Sequence, residues 1–292
     1  MKRHPPISSF LTTLAGLFLL SISVRAESCL WKATSDHGTL YLQGSVHLLT
    51  ADDYPLDPAI ENAYSKSDVL VFETDMNAML APETQQLIMA KAILPDHRTL
   101  EGELDPEVYA MLLSKLAEAG LPALAVQKFK PWFATMTLVV LRMQAMGFDP
   151  NLGLDQYFHR KAMADKKTEV GLESIEFQIN LFDALSEGNQ NGYTKHALKE
   201  LEQMETMLTD MMAAWKKGDL ERLDEMMRAS FEEYPDMYEK FVTQRNKTWA
   251  EKLAELAAKD QTCMVVVGAA HLGGKEGLLE LLKAKGYTVE QL

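Results

Sequence analysis

The chain has 292 residues, a hydrophobic fraction of 47% and a formal net charge of −13, a composition typical of a globular protein of one or two domains. Nucleic-acid binding depends on clustered Lys and Arg, so this acidic balance argues against a nucleic-acid partner. After the N-terminus, no charge-free segment is long enough to cross a bilayer, and the apolar candidate at 131–141 is far too short. We therefore expect a mature chain without a membrane span.

The first 26 residues have the order of a secretory signal peptide. Lys2 and Arg3 precede a largely apolar stretch at 10–24, and Val24-Arg25-Ala26 offers small residues where a signal peptidase cleaves. The apolar run is shorter than the roughly 20 residues of a membrane span; a buried N-terminal helix or an uncleaved anchor is the alternative. We expect cleavage after Ala26, a secreted or periplasmic location, and a single domain at 27–292.

The sequence has two cysteines, Cys29 and Cys263, and each lies at the start of a predicted strand. An oxidising compartment permits a disulfide between such a pair. A Cys29–Cys263 bridge between neighbouring strands is therefore one expectation, and two buried free thiols are the alternative.

The two ends of the chain predict an α/β frame. The pattern predicts strands at 30–33, 39–44, 69–72, 263–267 and 287–289, and helices at 57–66 and 275–285. The run at 69–72 is continuously apolar, as in a strand that is buried on both faces. Neither end has enough strands to bury its own faces, so we expect both ends to form one mixed central sheet.

Residues 76–261 predict a large, mostly helical insertion with one short strand at 168–171. Seven methionines lie between Met204 and Met237. They could indicate a soft-metal site or an adaptable binding surface. Their helical spacing alongside Leu208 and Trp215 instead favours ordinary packing in the core or between helices.

A G-x-x-H motif occurs twice, each time directly after a predicted strand. The first is Gly44-Ser45-Val46-His47, the second is Gly268-Ala269-Ala270-His271, and Glu73 ends a third strand. Ligands of open parallel α/β sheets bind beyond the carboxyl ends of the strands. We therefore expect both imidazoles and the carboxylate to lie in one region.

These three side chains allow more than one chemistry. Two His and one Glu form a common open metal site, in which the metal lowers the pKa of a bound water. Without a metal, a His–Glu pair could act as general base and orienting group. Spacing alone also permits ordinary hydrogen bonds at strand ends. The sequence lacks H-E-x-x-H, G-x-S-x-G, the dinucleotide-binding Gly-rich loop and the P-loop, which excludes the most recognisable zinc-protease, serine-hydrolase, NAD-binding and nucleotide-binding classes.

The segment 40–47 resembles the opening motif of the TraB/GumN family, whose relatives include the Tiki-type proteases. Further segments follow in the family's order over essentially the whole mature chain: Glu73, Gly153-Leu154-Asp155, Gly171-Leu172-Glu173 with Gln178, Arg245-Asn246, and Val267 to Leu272 followed by Gly277-Leu278-Leu279. Ser45 stands where threonine is commoner. The resemblance implies an EreA/ChaN-like architecture and a divalent-metal-dependent hydrolase such as a peptidase, with His47, Glu73 and His271 as metal ligands or catalytic base.

Three further residues are predicted to contact substrate: Glu173, Arg245 and Asn246. Glu173 follows a short strand, and Arg245 could hold a substrate carboxylate or bind Glu173 through paired hydrogen bonds. Asp155 and His159 lie one helical turn apart, a spacing that can bind a metal. Their charged surroundings instead favour a solvated helix face.

The sequence therefore predicts an exported, metal-dependent hydrolase that acts on a peptide or a small molecule. The alternative is a non-catalytic protein of the cell envelope, in which the same histidines hold haem iron or a peptide. A catalytically inactive partner in envelope or polysaccharide export is a third hypothesis.

Overall fold

The computed structural model describes residues 28–292 except His37, Leu80 and Asn189, and leaves out the side chains of 185–188. The predicted signal peptide at 1–26 lies outside the described residues. No helix in the described part of the chain combines the length and the apolar character that crossing a membrane would need.

Six strands of the described chain form one mixed sheet in the order β4-β3-β5-β2-β1-β6. They are β1 Leu30–Ser35, β2 Gly38–Ser45, β3 Val69–Thr74, β4 Thr168–Glu173, β5 Thr262–Gly268 and β6 Thr288–Gln291. Strands β4, β3, β5 and β2 pair in parallel, whereas β1 is antiparallel to both β2 and β6. The predicted mixed sheet from both ends of the chain is confirmed, and the middle of the chain adds β4 at one edge.

Helices fill most of the middle of the chain, as predicted. They are α1 Pro58–Lys66, α2 Met76–Met79, α3 Pro82–Ala92, α4 Leu100–Glu103, α5 Pro106–Glu118, α6 Ala123–Val126, α7 Pro131–Ala145, α8 Leu154–Asp165, α9 Ile175–Gly188, α10 Gln190–Leu201, α11 Met204–Lys217, α12 Leu220–Ser230, α13 Pro235–Tyr238, α14 Gln244–Ala257 and α15 Leu278–Ala284. Short 3₁₀ turns lie at Ala51–Asp53, Pro150–Leu152 and Ala269–His271, and a π-helical turn lies at Glu239–Thr243. Asp57 caps α1 by accepting the N–H of Ala59 at 2.7 Å, and Gly218, at a φ of 64°, ends α11.

Two hydrophobic clusters hold these layers together. The larger one surrounds the sheet, whose central strand β5 is fully buried from Cys263 to Val267. The run at 69–72 is also buried, as predicted. The smaller cluster lies within the insertion, where α4, α5, α6, α7 and α10 pack together. The insertion therefore has a hydrophobic core of its own, beside the sheet that carries the strand ends.

The structure does not form the disulfide that we expected, because Cys29 and Cys263 are both free and buried. Cys29 accepts the N–H of Gly44, whereas Cys263 pairs with Leu40. These two positions on β2 are four residues apart, about 13 Å along a strand. A disulfide requires Cα atoms within about 7 Å. The register therefore separates the two thiols.

We expect neither thiol to react with iodoacetamide in the folded protein. Burial raises the pKa of Cys263 to about 11 and raises that of Cys29 further, so the reactive thiolate is scarce. Mass spectrometry should find no label under native conditions and two labels after unfolding in guanidinium. Thiols that become reactive only after reduction would contradict the register described above.

Candidate functional site

The four parallel strands β4, β3, β5 and β2 run in the same direction, so their carboxyl ends lie side by side, and the predicted residues lie there. Ser45 of β2 pairs with Gly268 of β5, so the two G-x-x-H motifs run side by side. Strand β3, which carries Glu73, pairs with the other side of β5. As a result His47, Glu73 and His271 all line the same cavity.

The motif glycines allow this close packing. A Cβ on Gly44 would lie 2.3 Å from Sγ of Cys29 and 3.0 Å from Cβ of Ala269. A Cβ on Gly268 would lie 3.2 Å from Oε1 of Glu73. A side chain at Gly44 would force the two strand ends apart, and one at Gly268 would push against the Glu73 carboxylate.

His47 is held by a carboxylate from the insertion. Its Nδ1 lies 2.8 Å from Oδ2 of Asp155, and Ser45 Oγ donates to the same oxygen at 2.7 Å. Asp155 can reach His47 because Gly153, just before α8, touches the backbone of His47: a Cβ there would lie 2.0 Å from the His47 carbonyl oxygen. The Gly153-Leu154-Asp155 motif therefore places the carboxylate against the imidazole.

Asp155 and His159 are buried, which corrects our expectation of a solvated helix face. Their exposed fractions are 8% and 2%. His159 Nδ1 lies 3.0 Å from both carboxylate oxygens of Glu169 on β4. This face of α8 therefore packs inward, with Asp155 in the candidate site and His159 against the sheet edge.

The Asp155 carboxylate raises the pKa of His47 to about 9, with a smaller contribution from Glu73 and opposition from burial and from Arg245. The imidazole keeps 63% of its side-chain surface exposed. Its Nδ1 is bound to Asp155, and Nε2 has no hydrogen-bond partner among the residues that the structure describes. Nε2 is therefore available to a bound molecule.

Glu73 is a buried carboxylate whose two oxygens are both bonded. Oε1 accepts the N–H of Gly268 at 2.8 Å, and Oε2 accepts from Arg245 Nη2 at 2.5 Å and from Gln178 Nε2 at 3.1 Å. Burial alone would raise its pKa, but His271, Arg245, His47 and the N–H of Gly268 lower it to about 2. Glu73 is therefore ionised at neutral pH.

Arg245 clamps two strand ends together. Its Nε and Nη2 donate to the Glu173 carboxylate and its Nη2 also donates to Glu73. Its Nη1 donates to the Phe241 carbonyl at 2.9 Å and to Nε2 of His271 at 3.2 Å. The expected contact with Glu173 is present. These bonds use all five N–H groups of the guanidinium, so none is left for a substrate carboxylate.

His271 is a neutral, oriented imidazole. Burial lowers its pKa to about 4, against the opposing charge of Glu73. Asn246 donates through Nδ2 to the carbonyls of His271 and Glu276, so its Oδ1 accepts the Nδ1–H of His271 at 2.7 Å. Nε2 of His271 is then the unprotonated nitrogen, and it faces Arg245.

Residues on one face of α14 contact these groups, and one of them, Trp249, was not predicted from the sequence. Trp249 lies one turn after Arg245 and donates through Nε1 to Glu173 at 3.1 Å. Its ring centroid lies 4.5 Å from the Arg245 guanidinium carbon and 4.5 Å from the His271 ring centroid. The i, i+4 spacing from Arg245 was the signal that could have identified it. The predicted substrate contacts Glu173, Arg245 and Asn246 therefore make their hydrogen bonds within the protein.

As they are arranged, these residues do not fit a divalent metal ion. In the described part of the chain, no three His, Cys, Asp or Glu side chains converge as metal ligands. The Arg245 guanidinium takes the free nitrogen of His271 and one oxygen of Glu73, and the N–H of Gly268 takes the other oxygen. Only Nε2 of His47 is open. The predicted metal centre stays a prediction, and it would require Arg245 to withdraw.

The cavity beside the strand ends has a volume of about 760 Å³. Helices of the insertion line most of it, including five of the seven methionines that we interpreted as packing residues: Met204, Met207, Met211, Met226 and Met227. The packing interpretation holds for Met212, which is buried in the main core, and for Met211 and Met204, which also pack against the two hydrophobic clusters. The methionines form a cavity wall that faces the candidate site.

The sequence model of the TraB/PrgY/gumN family matches residues 29–291. The chain therefore belongs to the TraB/PrgY/gumN family. It is also similar to "Uncharacterized protein YbaP" of Escherichia coli (strain K12) and to the protein of that name from Shigella flexneri, with 25% identity in each case over 243 residues, 83% of this chain and 87% of the relative. No solved structure matches the chain. Membership in the TraB/PrgY/gumN family confirms the resemblance stated from the motifs.

Proposed function

We propose that this TraB-family protein is a hydrolase in which His47, held by Asp155, activates water for attack on an ester or amide carbonyl. The observation that carries the proposal is the His47–Asp155 pair, in which Nε2 of His47 has no partner among the described residues and the imidazole lines a cavity of about 760 Å³. A carboxylate on Nδ1 holds an imidazole in the tautomer that leaves Nε2 free to accept a proton.

The proposed reaction needs only water and a proton shuttle. Nε2 of neutral His47 removes a proton from water while the water oxygen bonds to the carbonyl carbon. The bond from that carbon to the leaving oxygen or nitrogen then breaks, and the imidazolium returns the proton to the leaving group. The Asp155 carboxylate stabilises the imidazolium in between.

The remaining groups position the site. Glu73, Glu173 and Arg245 form a buried ion cluster that fixes the ends of β3 and β4. His271 is neutral and already bonded at both ring nitrogens, so it supports this cluster and does not transfer protons. Because this cluster fixes the strand ends, it helps to keep His47 at a constant distance from a bound carbonyl.

The proposed mechanism needs no metal ion, whereas the family resemblance implies a metal-dependent hydrolase, so metal dependence distinguishes the two. Because Arg245 occupies the acceptors that a cation would need, we expect ester or amide hydrolysis to persist in chelator. A chromogenic ester and amide panel, assayed with purified protein with and without EDTA, tests both forms. Hydrolysis that stops in EDTA and returns with one divalent ion would replace our proposal with the metal-dependent one.

The non-catalytic alternative has one observation in its favour, the open Nε2 of His47 beside a methionine-lined cavity. His and Met are axial ligands of haem iron in many proteins. A Soret band on haem addition that His47→Ala abolishes, without hydrolysis of any panel member, would support it.

In either case we propose a location outside the cytoplasm, which rests on the signal-like order of residues 1–26.

The pH profile provides a second test of the His47–Asp155 pair. Because the pKa of His47 is raised to about 9, the base form is scarce at neutral pH, and kcat/KM should rise with pH and level off above about pH 9. Asp155→Asn removes the charge that raises this pKa, so the midpoint should move down toward the ordinary value of 6.5, with a lower plateau. Asp165→Asn on the same helix, whose carboxylate accepts from Tyr64, should leave the midpoint unchanged. Equal midpoints in wild type and Asp155→Asn would exclude His47 as the titrating base.

A further inference from the structure

Two kinds of side chain line the cavity. His47 and Glu73 lie at the strand ends and Arg245 contacts Glu73, whereas mostly apolar side chains come from α7, α9, α10, α11 and α12. Six methionines of these helices line the cavity: Met143, Met204, Met207, Met211, Met226 and Met227. The volume of about 760 Å³ is in the range of sites for small organic molecules, about 300–1,000 Å³.

The polar side chains that the helices add to the cavity lining, Gln178, Glu200 and Ser230, each make a hydrogen bond within the protein. Ser230 Oγ donates to Glu200 Oε1 at 2.8 Å, and the Ser230 carbonyl lies 3.0 Å from Nε2 of His196. Gln178, nearer the site, donates to Glu73. A peptide chain in this space would bring an N–H and a C=O with every residue, and burying these without partners is unfavourable. A hydrocarbon chain brings no such groups.

Methionine suits a flexible hydrocarbon occupant. Its side chain is unbranched and has three rotatable bonds, so it adapts to ligands of different length and curvature. Met207, Met226 and Met227 are only partly buried, which leaves them surface to cover a ligand. A wall of this kind favours a single apolar chain over a rigid, specifically hydrogen-bonded molecule.

We propose that the cavity binds the acyl chain of an ester or amide, with the carbonyl group beside Nε2 of His47 and the hydrocarbon along the methionine wall. The substrate class is thus an acylated small molecule or lipid and not a peptide. The assignment of a reaction rests on the hydrolytic function proposed above, whereas the assignment of the bound group rests on the cavity alone.

Alkanoates from butanoate to dodecanoate test the bound group, because each is the acid product of such a hydrolysis. Their binding can be followed by titration calorimetry and by the fluorescence of Trp215, which lines the cavity. We expect Kd to fall about fourfold with each added methylene, as full burial of a CH₂ predicts, until the wall is covered. A Kd independent of chain length, or an apolar hexapeptide that binds as tightly as dodecanoate, would overturn the proposal.

Met207→Glu places a charge on the wall and should weaken dodecanoate binding at least about tenfold, with little effect on butanoate. Met163→Glu, at a methionine that is 58% exposed on α8 and outside the cavity, is the matched control and should bind as wild type. If Met207→Glu fails to fold, Met207→Gln serves in its place, with a smaller loss in the same direction. Equal dodecanoate binding by wild type and a folded Met207 variant would contradict the assignment.

The alkanoate series and a p-nitrophenyl ester series, both measured on the wild-type protein, separate this inference from the proposed function, and His47→Ala should keep the alkanoate binding while losing the hydrolysis. Chain-length-dependent binding of alkanoates without hydrolysis of any p-nitrophenyl ester would support the acyl site and overturn the hydrolase. Hydrolysis of p-nitrophenyl esters with kcat/KM independent of acyl length would support the hydrolase and overturn the acyl site.

Discussion

Replacing His47 with alanine is expected to lower kcat/KM for ester hydrolysis by between about a hundredfold and ten-thousandfold, the range that a positioned acid–base group supplies. The loss follows because, among the described residues, the other histidine that lines the cavity is His271, and both of its ring nitrogens are bonded. Steady-state kinetics on the best ester of the panel measures it.

Two variants make the result interpretable. His97→Ala removes an exposed imidazole outside the cavity and should leave the kinetics unchanged. His47→Gln can still donate to Asp155, so it should lose as much activity while keeping the hydrogen bond that His47→Ala removes from this buried carboxylate. Wild-type rates in His47→Ala would show that the reaction does not use this base.

Replacing Arg245 with methionine is expected to lower the free energy of unfolding by about 3–5 kcal/mol, because it leaves two buried carboxylates without their cation. The side chains of Glu73 and Glu173 are 11% and 8% exposed, so water cannot replace the guanidinium fully. Urea unfolding followed by circular dichroism measures the loss. Arg142→Met, at an exposed position on α7, should change stability by less than about 0.5 kcal/mol.

The same variant tests the metal centre. Without the guanidinium, His271 Nε2 and the carboxylates of Glu73 and Glu173 lose a common partner and become a possible ligand set for a divalent cation. We expect elemental analysis to find no stoichiometric metal in wild type, and Zn²⁺ to raise the melting temperature of Arg245→Met. A wild-type protein that retains one divalent ion per chain through purification would show that Arg245 is displaced from the position described here.

The frame of the fold could be predicted from the sequence because its strands are short apolar runs between turn residues. The strand at 69–72 and the strand at 263–267 are both present and buried, and each G-x-x-H motif follows its strand as expected. Strand order could not be predicted in the same way. It depends on packing between distant parts of the chain, and the expected disulfide failed because β2 separates Cys29 from Cys263 in both position and register.

Only those residues of the candidate site that belong to a recognisable motif or follow a predicted strand could be predicted from the sequence. His47, Glu73 and His271 were identified and lie together. Asp155 was placed on a solvated face because nothing within α8 shows that Gly153 packs against His47, about a hundred residues earlier. The position of the methionines at the cavity could not be predicted either, since helical periodicity alone does not show whether an apolar face covers a core or a cavity.

Arg245 shows why ligand types alone do not define a metal centre. Two His and one Glu are a good ligand set by composition, but in this structure a cation of the protein itself, Arg245, binds His271 and Glu73. That cation comes from a residue 172 positions after Glu73, which no local pattern connects to it. The position of one guanidinium therefore changes the chemistry inferred from the same three residues.

The central place of β5 in the sheet has a consequence for synthesis of the chain. A polypeptide made only as far as α14 would have His47, Asp155 and Arg245, but β2 and β3 would lack the strand that lies between them. The end of β2 next to His47 and the end of β3 that carries Glu73 would then not be joined through β5, and Glu73 would lack the N–H of Gly268. A nascent polypeptide would thus lack the assembled site until the last strands have joined the sheet.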